Sequence, residues 1–93
     1  MHSAVDELLP GAEIVARGLS DLAANRETIE SLLVSMAATR LGQLGYRVAE
    51  PLPDPEHRLW ELLASDDADA AHGRYNALVR RLVSFQRAAA CAA

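Results

Sequence analysis

Apolar residues recur three and four positions apart along almost the whole chain, and this spacing restricts the fold more than any other feature. In a helix such residues share one face, whereas a half-buried strand needs alternation with period two. No segment alternates over the length of a strand. The sequence therefore predicts a small all-α bundle of about four helices, and its 93 residues (1–93) suit one domain.

The first half of the chain predicts a short helical piece over residues 4–9 and then two longer helices. The first longer helix covers residues 12–24, where the small Gly18 allows another backbone to approach closely. The second runs from a cap at Asn25 to Gly45, a residue suited to the left-handed conformation that closes a helix. One face of this helix is apolar, through Ile29, Leu32, Leu33, Met36, Ala37 and Leu44.

The second half predicts an extended connector followed by two helices. Residues 46–53 contain two prolines, each of which disfavours a helical residue before it. Asp54 as a cap and Pro55 in the first helical position then mark a helix start. The last helix opens after a break at 65–67, and residues 88–93 either fray or continue it. Its apolar residues form a seam with 4-3-4-3-4 spacing, namely Ala71, Tyr75, Leu78, Leu82, Phe85 and Ala89.

The seam has two interpretations that the sequence leaves open. It either closes the domain's own core or pairs with a second copy in a dimer. Val79 and Val83 widen its apolar arc, so the last helix should contact more than one neighbour. Eighteen of the apolar residues are alanine, which limits the core, and a chain of this kind is expected to need a partner.

The charge of the chain is divided unevenly along its length. Residues 1–70 hold 13 acids and 5 arginines, a net charge of −8, whereas residues 71–93 hold 4 arginines and no acid, a net charge of +4. The single cysteine, Cys91, excludes an internal disulfide and favours a reducing compartment. Nothing approaches the ~20 apolar residues that span a bilayer, so the expected location is the cytoplasm, with no membrane contact.

Patterns that carry catalysis are not found in this sequence. The glycines at 42 and 45 lie in LGQLG without a GxGxxG or Walker lysine pattern, and no GxSxG elbow is present. A metal-dependent enzyme around His57, Glu61 and His72 is one hypothesis, since the first two are four residues apart on a helix. Because the histidines lie beside the apolar stripes rather than converging, we expect a non-enzymatic protein with no metal and no cofactor.

The arginines of the last helix admit three explanations. Arg74 and Arg81 share one edge of the helix, and Arg80 and Arg87 share another. They either pair with the acidic first seventy residues, contact a partner protein or bind DNA. With four arginines in an acidic chain and no helix-turn-helix spacing, direct binding of nucleic acid is the weakest of the three.

Arg40 does not fit simple packing, because helical spacing places it between Met36 and Leu44 on the apolar face of the second helix. A charged group there needs a partner or an exit to water. Arg40 either extends to solvent and caps carbonyls at the helix end, or it is an anchor that a second chain completes.

Two segments of the chain resemble a known family. The segments are NRETIESLLVSMAATRLGQLG, from Asn25 to Gly45, and AAHGRYNALVRRLVSFQRA, from Ala70 to Ala88. They are similar to small helical proteins encoded beside nucleotidyltransferase toxins. These are the MenA antitoxins of bacterial type II toxin–antitoxin systems, whose MenT partners resemble the AbiEii group and add nucleotides to tRNA. The resemblance covers most of the chain and carries no short diagnostic motif.

This resemblance implies a non-catalytic antitoxin that binds its cognate toxin and occludes the active site. A cleft that holds tRNA and nucleotide must be basic, so acidic residues beside an apolar helix face would complement it. The expected alternative is a small helical DNA-binding or accessory regulator. The partner-binding residues that we predict are Arg40, Asp66, Asp67, Asp69, Tyr75, Leu78, Arg81, Leu82 and Phe85.

Overall fold

The computed structural model describes residues 7–92 and confirms a small all-α domain, built there from five helices. Helices α1 and α2 pack together, α4 and α5 pack together, and α2 and α4 join the two pairs. The predicted piece over 4–9 begins outside the described residues, and 7–9 are not helical. Over residues 7–92, no helix is long and apolar enough to cross a membrane. The helices are α1 (Ala12–Ala23), α2 (Ile29–Met36), α3 (Ala38–Gln43), α4 (Pro55–Asp66) and α5 (Ala71–Ala92).

The contact between α1 and α2 depends on Gly18, as the sequence predicted. A Cβ added there would overlap the Glu30 carbonyl group and a methyl of Val34, so only glycine allows this spacing. The predicted cap at Asn25 is wrong. Asn25 adopts a left-handed conformation, with φ of 60°, while Thr28 caps α2 by accepting a hydrogen bond from the Ser31 N–H at 3.1 Å.

A buried carboxylate fixes the turn between α1 and α2. Asp21 accepts hydrogen bonds from the Thr28 hydroxyl at 2.8 Å and from Arg26 Nη2 at 3.0 Å, and Arg17 Nε lies 3.9 Å away. The hydrogen bonds from Thr28 and Arg26 lower the pKa of Asp21. This network ties the end of α1 to the cap of α2.

The predicted second helix is interrupted at Ala37, which separates α2 from α3. The Ser35 hydroxyl donates to the Ser31 carbonyl at 2.8 Å and accepts from the Leu52 N–H at 3.0 Å. A hydroxyl bonded back to the preceding turn bends a helix. Here it also holds the connector against α2. The break turns Leu41 into the core and leaves Arg40 exposed, in agreement with the interpretation that this side chain extends to solvent.

The start of α4 follows the prediction in part. Gly45 adopts the expected left-handed conformation, with φ of 99°, and residues 46–53 form no helix. Pro55 is the first residue of α4 as expected. Asp54, however, makes no side-chain capping bond, and its left-handed φ of 48° differs from the extended backbone that capping residues usually adopt.

Helix α5 runs to Ala92, so residues 88–92 continue it rather than fray. It packs against α4, α1 and α2, as its wide apolar arc predicted, and its Phe85 ring lies 5.7 Å from the ring of Tyr46 in the connector. Ala71, Leu82, Phe85 and Ala89 of the seam are buried. The seam therefore closes the domain's own core.

Candidate partner-binding surface

Helix α4 buries two of its large apolar residues and exposes two. Leu59 and Leu63 have no exposed surface, whereas Trp60 and Leu62 keep 38% and 40% of theirs. At about 100° per residue, Leu59 and Leu63 define the buried face, and Trp60 and Leu62 fall about 80° to either side of it. Helical geometry therefore places Trp60 at the edge of the core.

The exposed Trp60 joins an aromatic cluster between α4 and α5. The centroids of the His72 and Tyr75 rings each lie 6.3 Å from the Trp60 ring, with interplanar angles of 73° and 67°. Edge-to-face pairs at such distances are favourable and hold the rings in place. Burial and the nearby Glu56 carboxylate raise the pKa of the Tyr75 hydroxyl. Glu56 thus belongs to the same surface.

The turn between α4 and α5 adds three exposed aspartates. Asp66 pairs with Arg74 at 2.7 Å, and Asp67 accepts from the Asp69 N–H at 3.1 Å and the Ala70 N–H at 3.3 Å. The Asp69 carboxylate has no partner in the described part of the chain. We call this surface the α4–α5 patch, defined as Glu56, Trp60, Asp66, Asp67, Asp69, His72 and Tyr75.

The apolar partner-binding residues predicted on α5 divide into two groups. Leu82 and Phe85 are buried in the core, and a partner would reach them only if α5 left the domain, so we remove them from the predicted surface. Tyr75 and Leu78 are half-buried. Tyr75 belongs to the α4–α5 patch. Leu78 lines a separate groove of about 340 Å³ beside α2, with Ile29, Glu30, Arg74, Ala77 and Arg81.

Two of the four α5 arginines pair with the acidic part of the chain, as one of the three explanations predicted. Arg81 forms an ion pair with Glu13 of α1, and Arg74 pairs with Asp66. Arg80 and Arg87 are exposed and form no ion pair with a described residue. The predicted contact residue Arg81 is therefore already engaged within the domain.

Arg40 lies away from the α4–α5 patch in the chain, on the short helix α3. Its side chain is exposed and makes no ion pair within residues 7–92. The expectation that it lies on an apolar face is wrong, because the break at Ala37 rotates that face. Arg40 reaches water directly.

The residues of the metal hypothesis do not converge. His57 Nε2 lies 3.3 Å from Glu61 Oε2 on the exposed side of α4, whereas His72 packs on Trp60 and has its Nε2 3.2 Å from Asn76 Nδ2. Within residues 7–92, no group of three or more His, Cys, Asp or Glu side chains is arranged to hold a metal ion.

Trp60 and Glu56 were not among the partner-binding residues predicted from the sequence. The four apolar residues at 59, 60, 62 and 63 already carried the signal, since they span about 160° of a helix of ~100° per residue. A contact with one neighbouring helix does not cover an apolar face of this width. The outer residues of the face, Trp60 and Leu62, are therefore expected at the edge of the core.

Fold and surface together define a small all-α domain with an aromatic and acidic surface on its last two helices. No protein-family model, curated protein or solved structure matches this chain.

Proposed function

We propose that this chain is a non-catalytic antitoxin that binds a cognate nucleotidyltransferase toxin acting on tRNA and occludes its active site. The observation that carries the proposal is the α4–α5 patch, where α4, α5 and the turn between them present exposed carboxylates together with the exposed Trp60. A protein that holds tRNA and nucleotide phosphates presents a basic cleft. The patch has the charge to enter such a cleft.

The composition of the patch supports binding of a protein. Interfaces gain most of their energy from a few anchors, commonly tryptophan and tyrosine, within a polar rim. Trp60 and Tyr75 supply the aromatic anchors, and the aspartates at 66, 67 and 69 supply the rim. Complementary charge at the rim mainly accelerates association and sets specificity.

The first experiment is size-exclusion chromatography with light scattering on the chain alone and on the chain expressed with the product of the adjacent reading frame. The proposal predicts a stable hetero-complex, and co-expression that rescues growth from a toxic neighbour. Light scattering on the chain alone also measures self-association. A folded chain that does not bind the product of the adjacent reading frame and does not rescue growth would refute the antitoxin proposal.

A second experiment tests the acidic rim. Replacing Asp66, Asp67 and Asp69 with asparagine should slow association with the toxin and reduce the salt dependence of its rate, because electrostatic steering is lost. Asparagine keeps the carbonyl oxygen that caps the turn. The matched control combines Glu7→Gln, Glu50→Gln and Asp54→Asn, three exposed carboxylates outside the patch. Equal kinetics for both variants would refute the role of the rim.

The alternative function, a small helical DNA-binding or accessory regulator, has one observation in its favour. Arg80 and Arg87 are exposed, lie seven residues apart on one edge of α5, and form no ion pair within residues 7–92. Binding through phosphates weakens steeply as salt rises from about 50 to 200 mM. DNA binding at low salt that is lost on Arg80→Ala with Arg87→Ala supports this function, and no binding at low salt excludes it.

A further inference from the structure

The exposed indole of Trp60 has an unpaired carboxylate one turn before it on α4. Glu56 and Trp60 are four residues apart, which places their Cβ atoms about 6 Å from each other on one edge of a helix. Glu56 is exposed and forms no ion pair with a described residue. A flat aromatic surface and a free carboxylate therefore lie side by side, open to solvent.

The arginines close to Glu56 and Trp60 form ion pairs with other carboxylates of the domain. Arg58, two residues after Glu56, pairs with Glu27, and Arg74 of α5 pairs with Asp66. Neither guanidinium is thus available to neutralise Glu56 or to cover Trp60. The site keeps its negative charge and its exposed ring, although the domain contains arginines close by in sequence.

The rings around Trp60 hold it in position for binding. His72 and Tyr75 pack against it at centroid distances of 6.3 Å, so its rotamer is restricted before any partner arrives. Glu56 lies one turn from Trp60 on α4, and Tyr75 packs on the same indole ring, so carboxylate, phenol and indole lie close together. A preformed site loses less conformational entropy on binding.

The group that best fits this site is a guanidinium. It is planar and stacks on an indole face, and its paired N–H groups donate to a carboxylate in a fixed geometry. An ammonium shares the charge but not the planar, two-pronged donor geometry. We propose that Glu56, Trp60 and Tyr75 form a receptor site for an arginine side chain of a partner protein. The inference rests on the proposed function for the partner's identity, an arginine at the rim of the toxin's basic cleft.

The test uses fluorescence, because Trp60 is the single tryptophan of the chain and its emission reports on this site. The full-length protein is titrated with a hexa-arginine peptide and, separately, with a hexa-lysine peptide of equal charge. We expect a saturable change in Trp60 emission, with affinity for hexa-arginine several-fold above that for hexa-lysine. No emission change, or equal affinity for both peptides, would overturn the proposal.

A pair of matched variants separates the site from general attraction to an acidic protein. Glu56→Gln and Glu50→Gln each remove one exposed negative charge, and only the first lies beside Trp60. Glu56→Gln should weaken hexa-arginine binding about 3- to 10-fold, and Glu50→Gln should leave it nearly unchanged. Equal losses would mean that net charge alone attracts the peptide and would overturn the proposal.

The peptide experiment separates this inference from the antitoxin proposal, because it requires no toxin. If the toxin binds but the peptide does not perturb Trp60, the arginine site fails and the antitoxin proposal stands. If the peptide binds with the predicted Glu56 dependence and the adjacent product does not, the arginine site stands and its proposed partner is wrong.

Discussion

Substituting Gly18 by alanine tests the closest helix contact of the fold. Outside this contact the change would stabilise α1 by about 1 kcal/mol, because alanine is a better helix former than glycine. In the fold, the new Cβ would lie 2.9 Å from the Glu30 carbonyl carbon and closer still to its oxygen, whereas ordinary contact begins near 3.4 Å. The obstacle is mainly backbone of α2, which cannot rotate away.

The expected result is a net loss of stability. Overpacking of this kind costs about 1–3 kcal/mol, and a backbone obstacle favours the upper part of that range. After the gain in helix propensity, Gly18→Ala should reduce the free energy of unfolding by about 1–2 kcal/mol. A domain of this size has about 5–14 kcal/mol of stability, so the variant should still fold.

Two other glycines provide matched controls for urea unfolding followed by circular dichroism. Gly42 in α3 and Gly73 in α5 have nothing within 4 Å of an added Cβ. Gly42→Ala and Gly73→Ala should therefore gain up to about 1 kcal/mol, opposite in sign to Gly18→Ala. If Gly18→Ala were as stable as Gly73→Ala, the close approach of α1 and α2 would be refuted.

Three further predictions concern stability. The hydrogen bonds to Asp21 lower its pKa below 3.8, so the ionised carboxylate stabilises the fold above that pH and this stabilisation disappears as pH falls through the lowered pKa. The loss of unfolding free energy caused by Asp21→Asn should therefore shrink between pH 7 and pH 3 in urea unfolding. A loss that stays constant over this range would contradict the prediction. Ser35→Ala removes the acceptor of the Leu52 N–H and should cost about 1–3 kcal/mol in thermal unfolding; an unchanged melting temperature would exclude this tie to the connector. Phe85→Ala should cost about 3–5 kcal/mol, whereas Arg87→Ala on the exposed face should stay within about 0.5 kcal/mol; similar values for both would mean that Phe85 is not a core residue.

The interruption of the second helix shows where local pattern fails. The apolar residues predicted to share a face between Ile29 and Leu44 fit one continuous helix, with Arg40 as the exception, and nothing at Ala37 itself marked a break. The break accompanies the hydrogen bonds of Ser35, one of which comes from the backbone of Leu52, 17 residues away. A contact across that separation leaves no periodic signal in the sequence.

The sequence predicted some residues of the candidate site and not others, for a related reason. The exposure of the acidic turn was predictable because aspartates are seldom buried unless a partner pairs with them. Trp60 was missed, and Leu82 and Phe85 were assigned to a partner, because each is apolar and apolar residues serve cores and interfaces alike. Exposure distinguishes the two roles, and exposure depends on where neighbouring helices pack.

The sequence by itself determined the all-α class, the start of α4 at Pro55, the left-handed Gly45 and the room for a close helix contact at Gly18. These follow from interactions between residues close in the chain, or from the absence of a side chain, and both are visible in the order of residues. Only the tertiary structure decided that the seam of α5 closes the domain's own core and that Trp60 faces solvent. Helical periodicity defines which residues share a face, but the helices packed against a face determine whether it is buried.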